Sequence, residues 1–310
     1  MTTARQRRII SLLQQLAPHE GYTLSTLPGL KFMRANTDIA RTPVMYDPCI
    51  VIVCQGRKRG FVGDRSYVYD AHHYLVLSVP LPFESETEAS PAEPMLAVSV
   101  SIDLTTAAEL VLALEGQSAR HGAPPAGILS TPLDDPMSDA LLRLLEALQS
   151  ESDAGILGPG IVRELVYRVL TGPQGGAVRA ALTQQSRFGK IGKALRRIHA
   201  SYDSAIDVAM LASEAGMSVA AFHAHFKAVT RTTPIQYLKT TRLHKARLLM
   251  VQDGLNAATA CHRVGYESSS QFSREFKRFF GRTPANEATE MKNALMQLPA
   301  QPAAAHGTLQ

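Results

Sequence analysis

The hydrophobic positions of this chain change their period twice. In residues 1–20 the apolar side chains Ile9, Ile10, Leu12, Leu13 and Leu16 alternate with Gln and Ser in a helical rhythm, which predicts a short amphipathic helix. From Leu30 to Asp103 the texture is that of strands. Leu30–Ala35 is a short apolar and basic run, and residues 48–55 (PCIVIVCQ) are β-branched, long enough for a buried strand and too short for a helix. Residues 74–79 and 95–102 read as further strands. Gly56-Arg57-Lys58-Arg59-Gly60 reads as a glycine-bounded, charged hairpin tip that guards a sheet edge. Residues 61–62, a turn at Gly63-Asp64-Arg65 and residues 66–69 follow it. Short strands separated by turns predict a small antiparallel barrel or sandwich.

After Asp103 the period becomes helical. Residues 104–115, 134–149 and 159–170 each open on a cap-like or proline signal. In the second, Met137, Leu141, Leu144, Leu145 and Leu148 form a stripe that needs a surface to pack on. The ordinary destination of such a stripe is the core; Leu141, Leu144, Leu145 and Leu148 are also candidates for a homodimer interface. Residues 172–176 (GPQGG) read as a helix stop and flexible joint. The tail after Leu298, rich in Ala, Pro and Gln, is expected to be disordered.

The last third contains an internal repeat. Residues 208–234 (VAMLASEAGMSVAAFHAHFKAVTRTTP) and 257–284 (AATACHRVGYESSSQFSREFKRFFGRTP) share their landmarks. Phe222, Phe226, Lys227, Thr233 and Pro234 match Phe272, Phe276, Lys277, Thr283 and Pro284 at an offset of 50, and Gly216 matches Gly265 at 49. Each copy has a short helix with small residues, a glycine turn, and a serine (Ser218 or Ser268) placed to cap a second helix. That is the helix-turn-helix layout. Phe222 and Phe226, four apart, must face the core. At about 100° per residue, the opposite face carries Ala220, Ala224 and Lys227, flanked by Ala221 and His223. In the second copy it carries Ser270, Arg274 and Lys277, flanked by Ser273 and Gln271. Arginine suits the guanine edge, serine and glutamine can donate or accept, and alanine can touch a thymine methyl. Between the copies, residues 234–250 read as one long helix opening on a proline. Its length could hold two recognition helices about one DNA turn apart. Arg242, Lys245 and Arg247 on it are candidates for phosphate contacts or internal ion pairs.

Charge agrees with this division. The net charge of +5 over 310 residues splits into +9 for residues 187–293 and −4 for the rest, so the polyanion-facing part is the last third. No apolar run is long enough for a membrane helix, and the N-terminus lacks the pattern of a signal peptide. Three cysteines without a CxxC argue against a disulfide scaffold or structural zinc, which makes a reduced, cytoplasmic protein the expectation. His72-His73 and His223-x-His225 are poorly spaced for joint ligation, and no cofactor or metal is expected. No nucleotide-loop or nucleophile-elbow motif is present, and no enzyme is expected. Cys49 and Cys54 bracket one strand and should face its opposite sides. The cations after Cys54 could lower its thiol pKa, which makes an electrophile sensor one reading and a buried small hydrophobe the other.

The segment 195–287, through LASEAGMSVAAFHAHFKAVTRTTPIQYLKTTRLHKARLLM and VGYESSSQFSREFKRFFGRTP, resembles the DNA-binding domain of AraC/XylS-type bacterial transcription regulators. The upstream half, through MYDPCIVIVCQGRKR and VGDRSYVYDAHHYLVLSVPLP, is similar to an N-terminal type of that family. The resemblance implies an α+β chain: a cupin-like barrel with accessory helices, then an all-α domain with two helix-turn-helix motifs. The implied division is an arm at 1–29, a sensor barrel at 30–103, a helical dimerisation segment and linker at 104–180, and a DNA-binding domain at 187–292. Its motifs would lie at 208–229 and 257–280, ahead of the tail at 298–310. The resemblance implies base contacts from Ala220, His223 and Ala224 and from Ser269, Ser270, Ser273 and Arg274. Ser218, Lys227, Arg242, Ser268 and Lys277 are the candidates for the DNA backbone. Tyr46, Cys49, Cys54 and His73 are the candidates for an effector pocket. The implied protein is a homodimeric activator that binds double-stranded DNA, takes a small-molecule effector and meets RNA polymerase. A ligand-independent regulator, or a cupin enzyme fused to a DNA-binding domain, are the alternatives. In the first motif, alanine stands where many relatives carry longer side chains, which puts the base specificity of that motif in doubt.

Overall fold

The structure is a computed structural model that describes residues 3–114, 127–182 and 187–296. The strands are β1 (Gly21–Leu24), β2 (Leu30–Ala35), β3 (Ile39–Tyr46), β4 (Cys49–Gln55), β5 (Arg57–Val62), β6 (Arg65–Asp70), β7 (His73–Leu77), β8 (Leu81–Glu88), β9 (Met95–Ser101) and β10 (Ile128–Pro132). They form one curled, antiparallel sheet in the order β1-β2-β9-β4-β7-β6-β5-β8-β3, with β10 added on β7. All but the last residue of β4 are buried, and so are all but the last of β9, because the sheet is covered on both faces. A strand buried on both faces has no polar alternation, which is why residues 48–55 read as a continuous apolar run.

One face carries Phe32, Ile50, Ile52, Cys54, Val76, Leu96 and Val98, packed under helices. These helices are α1 (Thr3–Leu16), α2 (Leu104–Ala113), α3 (Asp135–Ala147), α4 (Glu151–Ile156), α5 (Gly158–Thr171) and α6 (Gly175–Leu182). The other face carries Met33, Cys49, Val51, Val53, Tyr69, Leu75, Leu77 and Phe83 and closes on itself as the barrel interior. Ile9, Leu12 and Leu13 of α1 seat against this helical layer, and Arg5 fastens α1 to α3 by pairs with Asp135 (2.6 Å) and Asp139 (2.8 Å).

Several sequence expectations are corrected here. Leu141, Leu144 and Leu145 are 0% exposed and pack on α1, α5 and the sheet, and Leu148 packs against the same cluster. The stripe is spent inside the chain and leaves no leucine surface for a partner. The stretch 172–176 is not a free joint: α6 begins within it at Gly175, and its Ala177 and Val178 are buried in the same core. Arg57-Lys58-Arg59 is not a hairpin tip but the start of β5, paired on both sides by β6 and β8. Strands β1, β3, β8 and β10 go beyond the sequence expectation. β8 (LPFESETE) does alternate, but its inward positions end in Ser85 and Thr87, so hydrophobicity does not mark it. The tail at 298–310 lies outside the described residues.

The C-terminal half is helical: α7 (Arg187–Ala200), α8 (Val208–Glu214), α9 (Val219–Thr230), α10 (Pro234–Val251), α11 (Ala257–Arg263), α12 (Ser269–Phe280) and α13 (Pro284–Met296). It has two cores. One gathers Ile191, Leu195, Leu211, Phe222, Phe226 and Tyr237; the other gathers Leu243, Met250, Cys261, Phe272 and Phe276. Helix α10, 18 residues and about 27 Å long, contributes to both.

The barrel enters the first of these cores through Val79, 2% exposed. Beside it the buried Tyr237 hydroxyl donates to the Pro80 carbonyl (2.7 Å) and lies 2.7 Å from His199 Nε2. With the tyrosine proton committed to Pro80, His199 must donate from Nε2, so that nitrogen carries a proton. Burial pushes His199 down to about 4, so near neutral pH the ring is uncharged and its one proton sits on Nε2. Tyr237→Phe removes both bonds and leaves a buried carbonyl unpaired, so it should cost about 1–3 kcal/mol in chemical denaturation, with little change in helix content. An unchanged midpoint would show that this contact does not hold the halves together.

Candidate nucleic-acid interface and barrel interior

The two helix-turn-helix copies are built alike. Side-chain caps start all four helices: Asp207 accepts from Ala209 N (3.0 Å), Ser218 from Ala221 N (3.3 Å), Asn256 from Thr259 N (2.8 Å) and Ser268 from Gln271 N (3.3 Å). The turn in each copy uses a left-handed glycine, Gly216 (φ 60°) or Gly265 (φ 81°). A Cβ on Gly265 would sit 2.4 Å from the Asp203 carbonyl oxygen, so that position admits no side chain. Phe222 and Phe226 stack at 5.5 Å in one copy, and Phe272 and Phe276 at 5.5 Å in the other; none is more than 1% exposed. These pairs fix the rotation of α9 and α12 about their axes, and so fix which side chains face outward.

The outward faces differ in chemistry. On α9, Ala220, Ala224 and Lys227 are exposed and His223 is half-buried. On α12, Ser269, Ser270, Ser273, Arg274 and Lys277 are all exposed. Ser218 and Ser268 spend an acceptor lone pair on capping, and each keeps a hydroxyl proton to donate. Arg242 does not belong with the backbone candidates. Its guanidinium donates to the Tyr202 (2.7 Å) and Ser204 (2.9 Å) carbonyls and lies over the Tyr266 ring, so it is a brace inside the domain. Arg247 likewise pairs with Glu287 at 2.8 Å.

Sequence reasoning passed over Glu275, which sits beside Arg274 and anchors α12. It accepts from Lys239 (2.8 Å), the Tyr266 hydroxyl (2.8 Å) and Gln271 Nε2 (3.2 Å). Burial pushes its carboxyl up, and these donors outweigh that and hold it below the usual range. Gln271 is thereby turned along the helix toward Glu275. The signal available in sequence was the four-residue spacing of Gln271 and Glu275, which places them on one helical face.

The structure separates the effector-pocket candidates. Tyr46 lies inside the barrel, 9% exposed, edge-on to Phe83, with the Tyr22 and Tyr69 hydroxyls beside its own but no well-aligned hydrogen bond to it. Cys49 lies inside as well. Cys54 is on the opposite face, under the helices, so the two thiols do face opposite sides of β4. His73 is on the rim, 3.2 Å from Asp70, and does not reach the interior. The thiolate-sensor reading of the cysteines is corrected: burial pushes Cys49 and Cys54 both up to about 12. The neighbouring cations do not help Cys54, because Arg57 and Arg59 are paired with Glu88 and Glu86. Both thiols of the native protein should resist iodoacetamide at pH 8 and react only on unfolding. Rapid alkylation of either in the folded protein would contradict this burial. Among the described residues there is no cluster of His, Cys, Asp and Glu able to hold a metal ion. Polar groups that sequence reasoning did not assign to the interior are also buried there: Lys58, Ser85, Thr87 and Ser99.

Comparison with known proteins gives a consistent result. The family described as the AraC-type transcriptional regulator N-terminus matches residues 26–177, and a helix-turn-helix domain family matches residues 211–288. The HTH-type transcriptional regulator AlkR of Acinetobacter baylyi is 35% identical over 95 residues, 31% of this chain and 31% of that protein. The RCS-specific HTH-type transcriptional activator RclR of Escherichia coli is 40% identical over 77 residues, 25% of this chain and 27% of that protein. These matches span about a third of the length of the curated relatives or less. In fold, the chain is similar to ToxT of Vibrio cholerae in its unsaturated-fatty-acid-bound form, with a TM-score of 0.59 at 12% identity, covering 83% of this chain and 94% of that one. The apo form of a ToxT point variant gives a TM-score of 0.58 at 12% identity, over 88% of this chain and 100% of that one.

Proposed function

The chain belongs to the AraC/XylS family of bacterial transcription regulators, and from that we propose that it binds a specific double-stranded DNA site through α9 and α12 under control of a small molecule held in the barrel. The observation that carries the DNA reading is the pair of exposed helix faces, each set opposite a buried phenylalanine pair, in the basic third of the chain. Residues 187–292 are the proposed DNA-binding domain. Ala220, His223 and Ala224, with Ser269, Ser270, Ser273 and Arg274, are the proposed base readers. Ser218, Ser268, Lys227 and Lys277 are the proposed phosphate contacts. Arg274 is the strongest specificity element, since its guanidinium can meet a guanine edge bidentately. The effector reading is supported by the polar groups buried in the interior, Tyr46, Lys58, Ser85, Thr87 and Ser99. It is also supported by the fatty acid that the ToxT structure holds. The proposed regulator is a homodimer. Ile156 (78% exposed), Leu157 (52%) and Tyr167 (42%) on the outer helices support that, in place of the buried leucines of α3. Among the described residues no helix is long and apolar enough to cross a membrane.

On a site selected from random duplex DNA, Arg274→Ala should cost about 1–3 kcal/mol and relax preference at one base pair. Lys277→Ala should weaken all sequences alike and lower the salt slope by about 1. Fluorescence anisotropy across a salt series reads both. Intact sequence preference in Arg274→Ala would overturn the assignment of the outward face.

A further inference from the structure

The two recognition helices carry their outward side chains at matched positions. At the offset of 50, Ser269, Ser270, Ser273 and Arg274 of α12 correspond to Val219, Ala220, His223 and Ala224 of α9. Three of the four positions change from a hydrogen-bonding side chain to an apolar one. Sequence reasoning passes over Val219. It is 45% exposed, an isopropyl group facing water at the first position of α9, directly after the Ser218 cap. It precedes Phe222 by three residues, so it stands at the end of the helix that enters a groove.

The scaffold beneath these side chains is the same in both copies. Ser218 and Ser268 cap at 3.3 Å, and each helix is set by a buried phenylalanine pair at 5.5 Å. The change of chemistry is therefore confined to the outward face. At about 100° per residue, Val219, His223, Ala220 and Ala224 follow one another around a continuous arc of roughly 140°. From Val219 to Ala224 the arc advances about 7.5 Å along the axis, which matches about two base-pair steps. Ala220 and Ala224 are exposed and His223 is half-buried.

An apolar surface of this kind discriminates among bases. Laid against guanine, adenine or cytosine, it strips water from ring nitrogens, carbonyl oxygens or amino groups and returns no hydrogen bond. Thymine is the base that offers a methyl group in the major groove, and that methyl gains by being covered. We propose that α9 reads thymine C5-methyl groups by direct apolar contact from Val219, Ala220 and Ala224. The two motifs then use different physics: desolvation of methyls in the first, hydrogen bonding by Arg274 and the serines in the second. This rests on the DNA reading above and names the base chemistry of its first motif.

The test uses the full-length chain and a site selected from random duplex DNA. The half-site whose preference relaxes in Arg274→Ala belongs to α12, and the other, about one helical turn away, belongs to α9. In the α9 half-site, replacing a contacted thymine by uracil, which lacks only the methyl, should weaken binding about fourfold, the worth of one buried methyl. Replacing a contacted T·A pair by 5-methylcytosine·G should bind better than cytosine·G at the same place, because the methyl is restored. In Val219→Ser the uracil penalty should vanish at one thymine and persist at the others. An α9 half-site without thymine, uracil tolerated throughout it, 5-methylcytosine no better than cytosine, or a uracil penalty unchanged at every thymine in Val219→Ser each overturns the proposal. Failure of the chain to select any DNA sequence sinks the regulator reading on which the proposal rests, an outcome distinct from selection of a site that ignores the methyls.

Discussion

The structure depends on one requirement: the antiparallel sheet must be covered on both faces. Its central strands β4 and β9 are apolar on each side and cannot meet water on either. Helices α1, α3 and α5 cover one face, and curling covers the other. The covering helices consume every strong apolar stripe of the N-terminal half, which is why the leucines of α3 are core residues. Curling creates a closed interior, and the groups enclosed there are not all apolar. Lys58, Thr87 and Ser85 line it because β5 and β8 alternate and their inward positions carry polar side chains, and Tyr69 and Tyr46 join them as the one buried position each of β6 and β3.

The C-terminal half solves a different problem with one device used twice. Each copy sets a phenylalanine pair in the core, a serine cap at the start of the second helix and a glycine in the turn. Once those are satisfied, the outward face is free to vary, and it does: alanine in α9, serine and arginine in α12. The copies also end alike, with a left-handed residue at the C-cap. Gly281 takes that conformation without cost, whereas Arg231 takes it with φ 60°, the one non-glycine with positive φ among the described residues. Arg231 packs beside Gly63 of the barrel, within 3.6 Å of where a Cβ there would sit, so its side chain serves the junction between the halves.

Most of the DNA-facing region could be read from the repeat, because helical period, caps and aromatic spacing are local. The faces of α9 and α12 follow from the positions of Phe222, Phe226, Phe272 and Phe276 alone. The exceptions are long-range. Arg242 looked like a phosphate contact until its carbonyl partners, Tyr202 and Ser204, came from a loop some forty residues away. Glu275 drew no notice because one of its three partners, Lys239, lies on another helix. The barrel was less legible. Arg57-Lys58-Arg59 looked like a charged tip, and only pairing with β6 and β8 shows that the middle residue points inward.

The sequence by itself determined the all-antiparallel N-terminal half, the two helix-turn-helix units, their core faces and the opposed sides of Cys49 and Cys54. Each of these follows from a period or spacing within a few residues, where backbone geometry leaves little choice. The tertiary structure decided which charges are spent and which are left. It consumed Arg57 and Arg59 in cross-strand pairs, turned the thiols into inert core groups, and left Lys58 buried without a counter-ion. The physical reason is that solvation and charge compensation depend on groups far apart in the chain, and no local pattern records which of them meet.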